Sequence, residues 1–387
     1  MRQDEEGFLY PFVNEYICIN CGLCNKVCPV LNQFESSENT NVYAAKNRND
    51  NQRLDSSSGG IFVLLAKNIL ANSGYVFGAK FTSSWGVEHC GIVSPDEIYL
   101  LMRSKYVQSQ IGNSFKEVKN LLIDGKKVLF VGTPCQISGL KHFLGKDYAN
   151  LYSIDFICHG VPSPMVWHNY LTSIKQESYC NNISYVNFRE KQKGGFDWET
   201  FGLQIKGEKE EGREEVIQSM SFKEDPYMKA FLNNYILRPS CYKCPAKGGK
   251  SNSDLTLADF WGINQINLNP DNKGTSLIIV HSEKGKCLYE KIEKNIESKS
   301  HSIEQALKHN RAYYMSYKET RRRKRFWKYY STHQDLIKSI NFAEDINVIY
   351  QMFELIRSTL NRIIINALEK LHLKNVILKK IYGYKQS

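Results

Sequence analysis

The chain has 387 residues, 42% of them hydrophobic and 24% charged, with a net charge of +11; this is enough for two or three domains and excludes a disordered or fibrous protein. Its acidic start, MRQDEEGFLY, and the lack of any run of about 18 uncharged apolar residues argue against a secretory leader and a membrane span, which predicts a cytoplasmic protein. The positive charge is local: residues 301–387 carry 17 Lys and Arg against 7 Asp and Glu, whereas residues 1–300 carry 34 against 33.

From the N-terminus, GFLYPFVNEYICINCGLCNKVCPV (residues 7–30) sets four cysteines in a CxxCxxCxxxCP run, and a polar connector follows. VYAAKN then reads as a strand, SSSGGIFVLLAKNILANSG as a small-residue loop entering an apolar helix, and YVFGAKF as a second strand. SFKEVKNLLIDGKKVLFVGTPCQISGLKHFLG predicts helix, turn, buried strand, a Gly-Thr-Pro-Cys corner and another helix; NLYSIDFICHGVPSPMVWHNYLTSI repeats the strand, loop and helix. Such alternation predicts an α/β fold with a mostly parallel sheet flanked by helices, whose ligands gather beyond the carboxyl ends of the strands. From about residue 182, ISYVNFRE and WETFGLQIKG predict an inserted antiparallel β lobe with a charged hairpin. Residues 225–236 read as helical, and SDLTLADFWGI and SLIIVHS as further strands. The expected organisation is a short N-terminal segment (1–36), an α/β domain (40–300) and a basic helical tail (301–387).

Eleven cysteines in a cytoplasmic chain are metal ligands or redox groups more often than disulfides. The run Cys18, Cys21, Cys24 and Cys28 has the spacing of a bacterial ferredoxin, where three thiolates serve one cubane cluster and the fourth, before proline, serves a second. The GFLYP element ahead of it resembles the link between the two halves of a ferredoxin, so the run reads as the second half of a 4Fe-4S module. Three explanations stay open: an upstream half outside this sequence, a local site that recruits Cys28, or a three-iron or inactive remnant. Of the remaining cysteines, Cys135 and Cys158 each follow a predicted buried strand at the same sheet edge, and Cys241 and Cys244 form a CxxC before proline. These four thiolates can converge on a 4Fe-4S cluster. Zinc, tetrahedral and thiolate-bound, is the competing occupant and would make the chain a stapled binding protein; buried, inert cysteine is the bland alternative. Cys90, Cys180 and Cys287 have no partner at useful spacing. Ser56 to Gly60 precede an apolar helix and offer backbone N–H groups to an anion, although most such loops only cap. Lys105 and Tyr106 add a cation and a stacking ring.

Six motifs in order, DSSSGGIF, SKYVQSQIG, VLFVGTPCQISGLKHFL, IDFICHGVPSP, RPSCYKCPAKGG and SDLTLADFWGI, resemble the beta subunits of coenzyme F420 hydrogenases and dehydrogenases, from about residue 40 to 300. The resemblance implies FAD and a 4Fe-4S cluster exchanging electrons with an organic acceptor. Many bacterial relatives carry a fused ferredoxin segment and often lie beside surface-polysaccharide genes. It implies cluster ligands at Cys135, Cys158, Cys241 and Cys244, the set already reached from spacing. It implies flavin contacts at Ser58, Gly59, Gly60, Lys105, Tyr106, Gly132, Thr133 and Gln136. His159 is the candidate for proton transfer, although a strand-end histidine is more often structural. The implied function is an oxidoreductase passing electrons between ferredoxin, or another redox protein, and a small organic substrate that the sequence does not name; a non-catalytic relay subunit is the alternative.

KETRRRKRFWKYY (318–330) admits three readings: a nucleic-acid patch, a contact to an anionic membrane, or a solvated helix that docks an acidic partner. No nucleic-acid-binding fold is evident, so that reading ranks last. Residues 346–384 show apolar positions at helical spacing between Lys and Arg, which fits packing on the chain itself or on a second subunit. An interfacial helix, making the protein peripheral to a membrane, is the less common explanation.

Overall fold

The computed structural model describes residues 1–36, 40–191, 194–209, 212–263, 271–345 and Leu360. Within them the strands are, in chain order, β1 (Arg2–Gln3), β2 (Leu9–Tyr10), β3 (Asn41–Asn47), β4 (Tyr75–Phe81), β5 (Val87–Ile92), β6 (Ser109–Gln110), β7 (Val128–Val131), β8 (Leu151–Phe156), β9 (Asn182–Glu190), β10 (Gly202–Glu208), β11 (Glu214–Ser221), β12 (Leu255–Asp259), β13 (Ser276–Val280) and β14 (Ile296–Ser300). Nine of them form the central sheet, in the order β14-β3-β13-β12-β8-β7-β4-β5-β6. Its middle, β12-β8-β7-β4, is parallel, as the strand-helix alternation requires. Towards one side β13, β3 and β14 pair antiparallel, and towards the other β5 does. β5, β6 and β14 are additions to the expected plan. β14 reads IESKS and buries only Ile296, so as an edge strand it carries almost no apolar signal.

Alternate strand residues serve opposite faces. Val76, Leu129, Ile154 and Ile278 pack with helices Ile61–Ala71 and Glu283–Ile292, and Phe77, Phe130 and Leu151 with helices Ser114–Ile123 and Pro134–Leu144. The antiparallel lobe, β11-β10-β9, shares a core with helices Pro164–Glu177, Pro226–Leu232, Arg321–His333 and Leu336–Glu344. The most basic helix thus packs on its own chain: Phe326, Trp327 and Tyr330 are buried, and the Trp327 indole donates to the Tyr235 carbonyl at 2.8 Å. Among the described residues no helix is long and apolar enough to cross a membrane. The amphipathic stretch 346–384 lies outside the described residues, Leu360 apart.

The β1-β2 hairpin is fastened to the lobe side. Phe8 is fully buried, and a Cβ on Gly7 (φ +88°) would fall 2.5 Å from that of Met165. Buried Arg323 pairs with Glu6 and also donates to the Tyr242 hydroxyl at 2.9 Å and the Leu237 carbonyl at 3.2 Å. Arg238 donates to the Leu9 carbonyl at 2.9 Å and lies 4.0 Å over the Tyr10 ring.

Candidate functional site

β7, β8 and β12 end on one edge of the sheet, at Val131, Phe156 and Asp259; β3 ends there and β13 begins there. Beyond Val131 the chain turns at Thr133 into helix Pro134–Leu144. Proline stands at the first helical position, and a capping box joins Thr133 to Gln136, whose Oε1 accepts the Thr133 N–H at 2.9 Å. This corner fixes Cys135 at the helix start, its Sγ 3.1 Å from Thr133 Oγ1. Cys158 follows β8. The single-turn helix Pro239–Lys243 carries Cys241, whose N–H donates to the Arg238 carbonyl at 2.8 Å, and the Cys244 N–H donates to Ser316 Oγ at 3.1 Å.

These four thiols come together: each interacts electrostatically with every other. Cys135 is exposed and the other three are partly buried. Burial and the neighbouring thiols push Cys158 far above its ordinary value, Cys241 up to about 12 and Cys244 upward as well. Lys247 opposes the shift at Cys158 and Cys244, and Arg238 opposes it at Cys241. A shallow recess lined by Pro134, Asp155, Cys158, Lys247, Thr256 and Tyr313 opens beside them. Burial raises Asp155 to about 6, and Thr256 bridges it to His281 Nε2, 2.8 Å away. Desolvation lowers His159 to about 4; its ring packs on Phe231 and Tyr317, 4.9 and 4.2 Å between centroids.

The Ser/Gly loop reaches the same edge between β3 and helix Ile61–Ala71, but much of its polarity is spent on the fold. A Cβ on Gly59 would fall 2.5 Å from the Ala45 carbonyl and 2.6 Å from Ser276 N, so the loop presses on the sheet backbone. The Gly59 N–H donates to Ser276 Oγ at 2.9 Å, and Ser58 Oγ to the Thr275 carbonyl at 3.1 Å. Gly60, at φ +79°, caps the helix. Lys105 folds inward, donating to the Met102 carbonyl at 2.7 Å, and desolvation with help from Arg103 lowers its ammonium to about 7. Tyr106 packs on Phe188 and Phe231. Gly132 abuts the Gln136 side chain.

Buried polar atoms normally find partners. Among the described residues four side-chain atoms do not: His159 Nε2, Arg238 Nη1, Asn234 Oδ1 and Arg189 Nε. His159 follows Cys158 and Arg238 precedes Cys241 by three residues. Asn234 receives the Tyr242 hydroxyl on its carbonyl from within the CxxC loop, and Arg189 pairs with Asp259 at 3.0 Å and donates to the Ser57 carbonyl at 3.3 Å. The orphans border the thiols and the Ser/Gly loop, where an electron-rich group would satisfy the donors.

Residues 125–306 match the family described as the C terminus of the coenzyme F420 hydrogenase/dehydrogenase beta subunit. The match spans a little under half of the chain. A chain of the F420-reducing nickel-iron hydrogenase complex of Methanosarcina barkeri is similar at 14% identity, over 70% of this chain and 84% of that one, with a TM-score of 0.43. No curated protein matches the chain.

The matched residues include Cys135, Cys158, Cys241 and Cys244, whereas Ser58 to Gly60, Lys105 and Tyr106 lie upstream of them. The N-terminal run stands apart from both: Cys18, Cys21 and Cys24 are exposed and Cys28 is partly so. Sequence reasoning missed the cations around the site. Arg189 and Lys191, both buried, stand at the end of β9; Arg189 holds the Ser/Gly loop through the Ser57 carbonyl, and Lys191 donates to the Arg53 and Lys273 carbonyls at 3.0 and 2.8 Å. Their signal was a charged run, NFREKQK, closing an otherwise ordinary strand.

Proposed function

We propose that the chain is an iron-sulfur flavoprotein passing electrons between a ferredoxin-type carrier and a small organic substrate. Cys135, Cys158, Cys241 and Cys244 would hold a 4Fe-4S cluster. FAD would lie among Ser58, Gly59, Gly60, Lys105, Tyr106, Gly132, Thr133 and Gln136. When bound, a flavin exchanges electron pairs with organic molecules and a cluster exchanges single electrons. The chain positions and shields. The Thr133–Gln136 capping box fixes Cys135, Lys247 and Arg238 offset the negative charge of the thiolates, and Tyr313 and Tyr317 limit water at the thiol edge. His159, with Nε2 buried and unpaired, is the candidate proton carrier.

The observation that carries this reading is the convergence of four mutually close thiols on the edge where the parallel strands end, with the unpaired Arg238 Nη1 beside them. A cubane spreads its ligands over separate irons, whereas zinc draws four onto itself, so metal content decides between the two. Anaerobic purification with iron, sulfide and flavin analysis tests it. About four irons per flavin are expected from the inner set alone, and about eight if the N-terminal run also loads. Zinc without flavin would end the proposal. Oxidation of a reduced viologen by candidate organic acceptors, with no added subunit, separates an enzyme from a relay.

A further inference from the structure

Residues 308–328 hold nine Lys and Arg against a single acid, Glu319. Some of these cations have internal duties: Arg323 is buried on Glu6, and Arg325 donates to the Phe342 and Asp345 carbonyls at 2.7 Å. Lys308, Arg311, Lys318, Arg321, Arg322, Lys324 and Lys328 are exposed. Among them Tyr314 and Met315 are 55% and 45% exposed, an aromatic and a methionine within a rim of cations, as protein interfaces favour. The inner side of this segment is the thiol loop. The Gly248 N–H donates to the Tyr313 carbonyl at 2.7 Å, Lys247 Nζ to the Ala312 carbonyl at 2.7 Å, and the Cys244 N–H to Ser316 Oγ at 3.1 Å. One thickness of chain therefore separates a basic surface from Cys244.

We infer that the exposed basic face of residues 308–328 is the docking site of an acidic one-electron carrier protein of ferredoxin chemistry, which exchanges its electron across the Cys241–Cys244 loop. This rests on the redox reading of the thiol set. In the step, the reduced carrier would lose one electron and a cluster held by these thiolates would gain it, with no bond or proton changing hands. Charge selects the face: residues 1–36 carry two cations against five acids, and would repel such a carrier. The buried aromatics select the occupant. Phe326, Trp327 and Tyr330 are committed to the core, which removes them from stacking on bases and from insertion into lipid.

The test measures binding of an oxidised acidic 2Fe-2S ferredoxin to the full chain by calorimetry, at low and at high salt. The triple variant K318E/K324E/K328E is expected to bind about tenfold more weakly at low salt, with the difference fading as salt rises. K126E/K127E, just before β7 at the opposite sheet edge, should bind as the parent does. Lys318→Glu alone, in the segment before the basic helix, keeps the test if the triple variant unfolds, and should show a smaller loss. Equal loss in both sets, or affinity indifferent to salt, would overturn the inference. So would tighter binding of a DNA duplex or of phosphatidylserine vesicles through the same lysines. Carrier binding intact on a protein without iron or flavin would overturn the redox reading alone; iron and flavin without carrier binding would overturn the docking face alone.

Discussion

Cys18, Cys21 and Cys24 stand in solvent around a four-residue helix, Leu23–Lys26, that buries no side chain, with Tyr16, Ile17 and Ile19 bare beside them. Cys158, Cys241 and Cys244 are instead set by a buried strand and by a loop that residues 312–323 cover, with Lys247 and Arg238 close enough to bias the thiols. Both sets obey a sequence spacing, but only one has surroundings that respond to charge. The difference teaches that ligand spacing specifies what a run can hold, whereas the cations, covers and unpaired donors around it specify what the fold is built to keep there.

The widest expected contrast between the two regions is chemical. In protein stripped of metal, an alkylating reagent should label the exposed Cys18, Cys21, Cys24, Cys135 and Cys287 first. Cys241, held up to about 12, should react on the order of a thousandfold more slowly than an ordinary thiol at neutral pH. Peptide mapping by mass spectrometry reads this directly, and equal rates would erase the comparison. Next in size is Arg323→Met. Removing a buried guanidinium that serves Glu6, Tyr242 and Leu237 together should cost about 3 kcal/mol in urea unfolding. It should also release the N-terminal hairpin to proteolysis before the thiol edge loosens. Ser316→Ala should cost about 1 kcal/mol, through the lost acceptor for the Cys244 N–H, and should speed labelling of Cys244 while leaving Cys18 unchanged.

The smallest effect lies on the other flank of the site, where Arg53 grips Asp271. Burial would raise this carboxyl, but the hydrogen bonds and charge of Arg53 outweigh it and hold Asp271 at about 2, below its ordinary 3.8. A depressed carboxylate stabilises fully above its unfolded value and loses that contribution as pH falls through the folded one. Asp271→Asn should therefore flatten the acid side of the stability curve between pH 3.8 and about 2, by a modest amount because Asp271 is over a third exposed. An unchanged acid limb in a pH series of thermal midpoints would refute it.

The inner thiol set was legible because each member carries a local mark: Cys135 and Cys158 follow apolar runs that form β7 and β8, and the CxxC declares itself. What covers it was not. Ser316 meets Cys244 across 72 residues, and Tyr317 meets His159 across a longer stretch still, through single polar or aromatic contacts that impose no period on the chain. The charge run at 321–328 drew attention to its cations and hid Phe326, Trp327 and Tyr330, which seat the helix in the lobe core. The Ser/Gly loop was recognisable as a tight approach, but the approach Gly59 makes is to the backbone of β3 and β13. That depends on antiparallel neighbours which strand-helix alternation does not announce.

The Glu6–Arg323 pair spans 317 residues. A growing chain on the ribosome therefore exposes its first hairpin for roughly 15–60 s before the guanidinium that fastens it has been synthesised. During that interval the leading cysteines are handled as part of an unfolded nascent segment, available to whatever delivers iron or oxidises thiols, while β7 and β8 are still being assembled. The pair therefore sets when the hairpin is fastened, and slowing translation between residues 30 and 320 should lengthen the time for which Glu6 and Phe8 stay undocked without altering the final fold.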